Sequence, residues 1–146
     1  MEASDWDNTI TGFFFCVFAA PTPDSYPVDA VYLRHAADAH YLEGQLGPLY
    51  EAEGIGLSSS DDEVIPYEKL PALATAVHSV VAQVERQPET WQIHLGHRFK
   101  PFSEELGEPI YASASRRRLL EFLRGVLGHI YLAEQHGHYL IWGGGT

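Results

Sequence analysis

The sequence predicts an α+β fold: a single two-layer domain over residues 1–146, in which two or three helices pack on a mixed sheet of about four strands. Hydrophobic residues make up 45% of the 146-residue chain, which is enough apolar surface for one packed core. Two long segments repeat apolar residues at helical spacing, and short aromatic or β-branched stretches have the length of strands. No internal repeat of about 20 to 50 residues is present, which excludes a solenoid.

The first predicted strand is aromatic. Residues 12–19 are apolar on both alternating faces, as expected for a strand in the middle of a sheet that is covered on both sides. Residues 28–46 then repeat apolar side chains at helical spacing, with Pro27 suited to the first turn, while residues 28–33 alone also suit a short strand. The Gly-Pro pair at 47–48 ends this helix, because proline lacks the N–H that a helix needs.

An acidic stretch rich in glycine and serine follows. Residues 51–63, hereafter the acidic segment, have the composition of an exposed loop. Residues 67–86 carry one apolar stripe at helical spacing, and Pro71 requires that this helix begin near Tyr67. Residues 91–99 alternate as a strand, with one predicted face formed by Trp91, Ile93, Leu95, His97 and Phe99.

The last third of the chain predicts a short strand, a long helix and a final strand. Residues 109–113 suit the short strand, and Ser113 or Ser115 suits the N-cap of a helix over residues 116–135. Residues 138–142 form the final predicted strand.

Glycines mark two places where backbone geometry matters. Gly125 and Gly128 lie inside the last predicted helix, where each costs about 1 kcal/mol relative to alanine. We therefore expect close packing against a neighbouring backbone at both positions. The closing glycines at 143–145 predict a frayed terminus rather than a phosphate cradle, because no helix follows them.

Charge is distributed unevenly along the chain. The sequence holds 20 acidic and 9 basic residues, a net charge of −11. Residues 1–68 hold 13 acids and one base, Arg34, whereas residues 69–146 hold 7 acids and 8 bases. A field of this sign disfavours nucleic acid, unless the arginines at 116–118 form a local exception, and it attracts a basic protein partner. The same acidity also serves solubility.

The lone cysteine and the charges near the start of the sequence favour a cytoplasmic protein. Cys16 has no intrachain partner, and its phenylalanine neighbours predict a buried thiol in a reducing compartment. Residues 11–20 have the length of a signal-peptide core, but Glu2, Asp5 and Asp7 precede them where a signal peptide needs positive charge. No stretch reaches the ~18 apolar residues that span a bilayer, so no membrane association is predicted.

Eight histidines raise the question of a metal site. His35 and His40 lie five residues apart, about 140° around a helix, and cannot share a face. His94 and His97 point to opposite faces of a strand, and His97 is predicted to lie in the core. The histidines at 136 and 138 suit a shared face, but no third ligand is identifiable. We therefore predict no metal and no cofactor.

Catalytic motifs are absent from the sequence. There is no G-x-S-x-G, H-E-x-x-H, P-loop or G-x-G-x-x-G motif, and an apolar strand disfavours the thiolate of Cys16. The adjacent carboxylates at 61–62 and 104–105 are typical of a solvated surface. No catalytic residue is predicted, although the absence of a motif does not exclude an enzyme.

Three arginines at 116–118 begin the last predicted helix, where positive charge opposes the helix dipole. They suit three roles: holding an anion at the helix start, pairing with the acidic first half of the chain, or contacting a partner.

Tyrosines near the acidic segment suggest a contact surface. Tyr41, Tyr50 and Tyr67 combine aromatic area with nearby carboxylates, as interfaces with basic proteins do. The alternative is that each tyrosine covers an edge of the core with its hydroxyl in water. The predicted partner-binding residues are Asp38, Glu43, Tyr50, Glu51, Glu53, Asp61, Asp62, Glu63 and Tyr67.

Four local patterns resemble immunity proteins of bacterial polymorphic-toxin systems. They are Ile65-Pro66-Tyr67 with the Leu70/Leu73 helix, Trp91-x-Ile93, the arginine-then-leucine helix at 116–123, and Leu140-Ile141-Trp142. This resemblance implies a cytoplasmic, non-catalytic inhibitor that occludes the active site of a toxin. We expect the acidic half of the chain to face a basic surface on that toxin.

Two other classes of function stay open. One is a small enzyme with a histidine-based metal or acid/base site. The other is a small-molecule-binding or structural domain that forms homo-oligomers. Convergence of the histidines would favour the first, and an apolar pocket would favour the second.

Overall fold

The computed structural model describes residues 9–10 and 12–145, so the charges of Glu2, Asp5 and Asp7 lie outside the described part. The predicted α+β class is confirmed. The described elements are, in chain order, β1 (Phe15–Ala20), β2 (Val31–Leu33), α1 (Ala36–Leu46), α2 (Leu49–Glu53), β3 (Glu63–Ile65), α3 (Leu70–Glu85), β4 (Thr90–His97), β5 (Pro109–Ser115), α4 (Arg116–His136) and β6 (Tyr139–Gly144).

The strands form two sheets rather than one. The larger sheet has the order β2-β1-β6-β3, and β4 pairs with β5 in a separate two-stranded sheet. Every described pairing is antiparallel, so the prediction of one mixed sheet is wrong in this respect. Apolar alternation reports which face of a strand is buried, but it carries no information on strand direction.

Strand β1 lies in the interior of the larger sheet, as its two apolar faces predicted. Phe15 and Val17 join the main core, where the ring of Phe15 meets that of Trp142 at 5.4 Å. Cys16 and Phe18 lie in a second buried cluster. Full burial of such side chains stabilises the fold by roughly 1.5–3 kcal/mol each.

The segment before α1 is a strand rather than the start of a helix. The helix predicted from residue 28 begins at Ala36, and Val31–Leu33 form β2, which was the alternative. Pairing with β1 outweighs the helical spacing, and Asp29 has a φ of 50°, which no helix accommodates. The helix ends at Leu46, as the Gly-Pro pair predicted.

The acidic segment is more ordered than a loop. It begins within α2 and ends at β3, neither of which the sequence predicted. Ile55 and Leu57 are buried between them and join the main core. Gly54 ends α2 with a φ of 71°, a conformation that favours glycine. The exposed loop is therefore shorter than expected.

The C-terminal half follows the prediction closely. Helix α3 begins after a 3-10 turn at Tyr67–Lys69, and α4 is the longest described helix. Ser115 is the N-cap of α4, and its hydroxyl accepts a hydrogen bond from the Arg118 N–H at 3.3 Å. Helix α4 packs on α3 and on the central strands of the larger sheet.

A β-bulge alters the faces of β4. Its register against β5 shifts between His94 and Gly96, and Gly96 adopts a φ of 153°. Alternation therefore fails after the bulge, and His97 is exposed instead of lying in the core as predicted. Phe99, predicted on the same buried face, is also exposed.

The predicted close packing at the glycines inside α4 occurs at one of the two positions. A Cβ on Gly125 would overlap Val31, so the close neighbour there is a side chain rather than a backbone, whereas Gly128 faces open space. The closing glycines are not frayed. The Gly145 N–H donates to the Phe14 carbonyl oxygen at 2.8 Å, and a Cβ on Gly145 would overlap Phe13.

A buried ion pair joins α1 to the junction of β5 and α4. Asp38 is fully buried, and its carboxylate accepts two hydrogen bonds from the Arg118 guanidinium, at 2.7 and 3.3 Å. The same carboxylate accepts the Ser115 N–H at 2.9 Å. Arg118 also donates to the Ser113 carbonyl oxygen at 3.0 Å. Both carboxylate oxygens of Asp38 therefore accept hydrogen bonds, as a buried charge requires.

Replacing Asp38 by alanine is expected to lower the free energy of unfolding by about 2 to 4 kcal/mol, because it leaves the Arg118 charge unpaired. The side chain of Arg118 is 35% exposed, so water moderates the cost. Urea unfolding measures the change. The control is Glu121→Ala, which breaks the exposed pair with Arg117 and should cost less than about 0.5 kcal/mol. Equal losses would show that the buried pair does not hold the fold together.

Candidate functional site

Two predicted contact residues hold the acidic segment in place. The Glu43 carboxylate accepts the Ser59 N–H at 2.6 Å, and the Asp62 carboxylate accepts the Gly144 N–H at 3.0 Å. Glu43 is half-buried, whereas Asp62 is exposed. Charge-assisted hydrogen bonds of this kind are stronger than neutral ones. These carboxylates therefore fix the loop as well as charging its surface.

Apart from Asp38, the remaining predicted carboxylates and tyrosines are accessible to solvent. Tyr50 and Tyr67 are 67% and 51% exposed. The Lys69 ammonium donates to the Glu53 carbonyl oxygen at 2.7 Å, which ties the turn that carries Tyr67 to the end of α2. We define the acidic surface as the solvent-accessible members of the predicted set: Tyr50, Glu51, Glu53, Asp61, Asp62, Glu63 and Tyr67.

Asp38 does not belong to this surface. It was predicted to contact a partner, but its side chain is fully buried and paired with Arg118. The sequence alone gives no sign of this, because the two residues are 80 positions apart.

The carboxylates of the acidic surface form no ion pairs with other described residues. Residues 43–68 hold seven carboxylates and no lysine or arginine. Over the part of the chain that the structure describes, none of those carboxylates forms an ion pair. The described ion pairs are Arg98–Glu108, Lys100–Glu105, Arg117–Glu121 and Arg118–Asp38.

The three arginines at the start of α4 have intramolecular partners. Arg116 donates to the Gln87 carbonyl oxygen at 2.8 Å, Arg117 pairs with Glu121, and Arg118 pairs with Asp38. Pairing within the chain is therefore the role that the geometry supports among the three proposed from sequence. Of these arginines, Arg118 reaches a carboxylate of the acidic half.

Tyr41 covers an edge of the core, as the alternative for the tyrosines proposed. Its ring meets that of Trp91 edge-on at 5.3 Å. Burial raises the pKa of the Tyr41 hydroxyl, and a hydrogen bond with Gln87 opposes that rise in part. Tyr41 is therefore a packing residue.

The histidines converge only in pairs. The bulge in β4 brings the rings of His94 and His97 to 4.9 Å, against the prediction of opposite faces. The rings of His136 and His138 lie 5.3 Å apart, on a shared side as expected. Among residues 9–10 and 12–145, no group of three or more histidine, cysteine, aspartate or glutamate side chains is arranged to hold a metal ion.

His129 has a structural role that the sequence did not reveal. Its Nδ1 accepts the Ala19 N–H at 3.0 Å, and its Nε2 lies 2.7 Å from the Asp29 carbonyl oxygen. The ring therefore accepts a hydrogen bond with Nδ1, and its Nε2 is placed to donate to the Asp29 carbonyl oxygen. The imidazole thus accepts a hydrogen bond from the β1 backbone at Ala19, a position that lies beyond the pairing of β1 with β2.

An apolar pocket of about 550 Å³ lies between the segment after β1 and the C-terminal end of α4. Tyr26, Val28 and Leu132 form apolar walls, and His136 and His138 contribute polar groups. Its size and composition are typical of small-molecule sites.

The connection between β4 and β5 exposes large apolar side chains. We call residues 98–108 the arm. Phe99 is 90% exposed, Leu106 is 73% exposed, and Phe102 is fully exposed. The sequence placed Phe99 on one face of a strand and did not reveal that Phe102 and Leu106 are exposed, because an apolar residue in a loop does not reveal whether it is buried.

Comparison with protein-family models, with curated protein sequences and with solved structures finds no match to the chain. Within the described ranges, none of the helices has both the length and the apolar character that crossing a bilayer requires. Function is therefore inferred from the chemistry of the surfaces and pockets described above.

The raised pKa of the Cys16 thiol predicts that the folded chain loses stability at alkaline pH. Burial is the main cause that raises the pKa of its thiol above the ordinary value of 9.0, and a hydrogen bond with Tyr32 opposes the rise in part. Above pH 9 the unfolded chain therefore loses this proton before the folded chain does, so the free energy of unfolding falls as pH rises. Urea unfolding from pH 8 upward should show a shallower fall for Cys16→Ala. Parallel curves would contradict this origin.

Proposed function

We propose that this chain is a non-catalytic protein-binding module of the immunity type, which neutralises a basic toxin in the cytoplasm by covering its active site. The resemblance noted above for the segments from Ile65 to Trp142 supports this function class. The lone, buried Cys16 is consistent with a reducing compartment.

One observation carries the proposal: the carboxylates at 43–68 form no described ion pair, although the chain contains arginines that would neutralise them. Those at 116–118 are engaged elsewhere, and the acidic surface keeps its field. Exposed charges of one sign attract a partner of the opposite sign and accelerate association. They also repel phosphate backbones, which favours a basic protein over nucleic acid.

Exposed aromatic residues give the acidic surface a source of affinity besides charge. Tyr50 stands on α2, beside the acidic pair Glu51 and Glu53, and Tyr67 follows β3. Buried tyrosines contribute strongly to protein interfaces, whereas charges at the rim mainly set the association rate. The surface therefore combines steering groups with groups that bury area on contact.

Reversing charge on the acidic surface is expected to abolish partner capture. The test uses tagged protein in lysate of its own source cells at low and high salt, with identification of what is retained. The wild-type chain should retain one basic protein at low salt. Glu51→Lys combined with Asp61→Lys should lose it, and an ionic strength of about 0.5 M should slow association about tenfold or more.

The matched control is Glu85→Lys combined with Glu89→Lys, which changes net charge equally at exposed positions outside the acidic surface. It should retain the partner as the wild-type chain does. Equal loss in both double variants would indicate a general charge effect. Association that is independent of salt would overturn the electrostatic part of the proposal.

A second candidate function, the binding of a small apolar molecule, rests on the pocket beside α4. A ligand with an aromatic body and an anionic group would contact Val28 and Leu132 and accept hydrogen bonds from His136 and His138. The proximity of the two imidazole rings, 5.3 Å apart, favours a shared acceptor group.

The fluorescent probe 8-anilinonaphthalene-1-sulfonate tests this second function. Saturable binding at a single site is expected, weakened about tenfold by Leu132→Gln, which removes an apolar wall of the pocket. Leu106→Gln removes the same apolar group outside the pocket and should bind the probe as the wild-type chain does. Non-saturable fluorescence that is unchanged by Leu132→Gln would exclude the pocket as a ligand site.

A further inference from the structure

We propose that the arm at residues 98–108 is an apolar anchor that inserts into a cleft of the same basic protein that the acidic surface attracts. This inference rests on the proposed function and adds the element that would enter the partner.

The arm exposes three large apolar side chains. Phe99, Phe102 and Leu106 are all at least 73% exposed and lie within eight residues of one another. Contiguous exposed apolar side chains mark interaction sites, whereas single ones do not. Large aromatic side chains that fill a pocket on a partner are the residues that dominate interface affinity.

The arm has a defined conformation rather than that of a free linker. The Arg98 N–H donates to the Glu108 carbonyl oxygen at 2.8 Å, and the Lys100 ammonium donates to the Glu105 carboxylate at 3.0 Å. A Cβ on Gly107 would overlap the Arg98 carbonyl oxygen, so the two sides of the arm meet closely at its base. A preorganised element loses less entropy on binding.

Backbone strain at the tip of the arm also indicates a binding site. Phe102 has a φ of 61°, a left-handed conformation that is unfavourable for a bulky side chain. The ring is fully exposed, so no packing within the described chain accounts for this conformation. Residues held in such conformations cluster at binding sites.

The strand that leads into the arm passes beside the acidic segment. Leu95, at the bulge just before the arm, shares a pocket of about 180 Å³ with His40, Glu43 and Ser59. The Glu43 carboxylate holds Ser59, two positions before Asp61. Strand β4, which leads into the arm, thus lies beside the acidic segment, and a protein that contacts the arm is within reach of that segment.

Charge selects a basic protein as the occupant. Within the arm, Arg98 pairs with Glu108 and Lys100 pairs with Glu105, so its tip is nearly neutral while the adjoining acidic segment is not. Anionic lipid surfaces would be repelled by that segment, and a second copy of this chain would carry the same net charge of −11. A basic protein with an apolar cleft satisfies both features.

The test measures the association and dissociation rates of this chain with the purified protein that was retained in the capture experiment. Phe102→Ser should raise the dissociation rate about 10- to 100-fold and leave the salt dependence of association unchanged. Tyr131→Ser, at an exposed aromatic outside the arm, the acidic surface and the apolar pocket, should leave both unchanged. Because the Phe102 side chain is fully exposed, thermal unfolding of the variant should match that of the wild-type chain.

Site-specific crosslinking supplies a second readout. With p-benzoylphenylalanine in place of Phe102, illumination should join the chain to the retained protein, whereas the same group in place of Tyr131 should not. Crosslinks only to a second copy of the chain would overturn the proposed occupant. The same conclusion would follow if the chain sedimented with phosphatidylserine vesicles and Phe102→Ser abolished that sedimentation. Unchanged dissociation of Phe102→Ser from a retained partner would overturn the anchor alone, and retention of no basic protein would overturn both proposals.

Discussion

The ion pair between Asp38 and Arg118 is the interaction on which the rest of the structure depends. Helix α1 supports the β4–β5 sheet, and α4 supports the larger sheet. The Asp38 carboxylate binds both the Arg118 side chain and the Ser115 N–H, at the point where β5 becomes α4. One buried carboxylate therefore sets how the two sheets are joined, and the hydrogen bonds around it compensate part of its desolvation.

The same pairing shapes the electrostatics of the surface. Because Arg118 is occupied by the buried Asp38, and Arg117 pairs along its own helix, neither reaches the acidic segment. Buried Ile55 and Leu57 hold that segment against the core, so its carboxylates are displayed on a fixed backbone rather than a mobile one. The fold thus separates a charge that stabilises it from charges that remain available for binding.

Long periodic segments were predictable from sequence, and features that depend on distant partners were not. Helices α3 and α4 repeat apolar residues over many turns, so their pattern determines them. Strands β2 and β3 have three residues each, too few to show a period. Asp38 looks like any other acid of the first half until Arg118 is placed beside it. The exposure of Phe102 likewise depends on the bulge and turn geometry around it, which apolar patterning does not encode.

The short outer strands of the larger sheet determine how this protein can be recognised. Beyond β2 and β3 the described sheet offers only three residues of edge on either side, too little for an incoming strand to pair with its backbone. Strand addition, a common way for sheets to capture peptides and to polymerise, is thereby disfavoured. Recognition at the larger sheet therefore has to pass through side chains, which can be selective, while the backbone of that sheet stays closed to indiscriminate pairing.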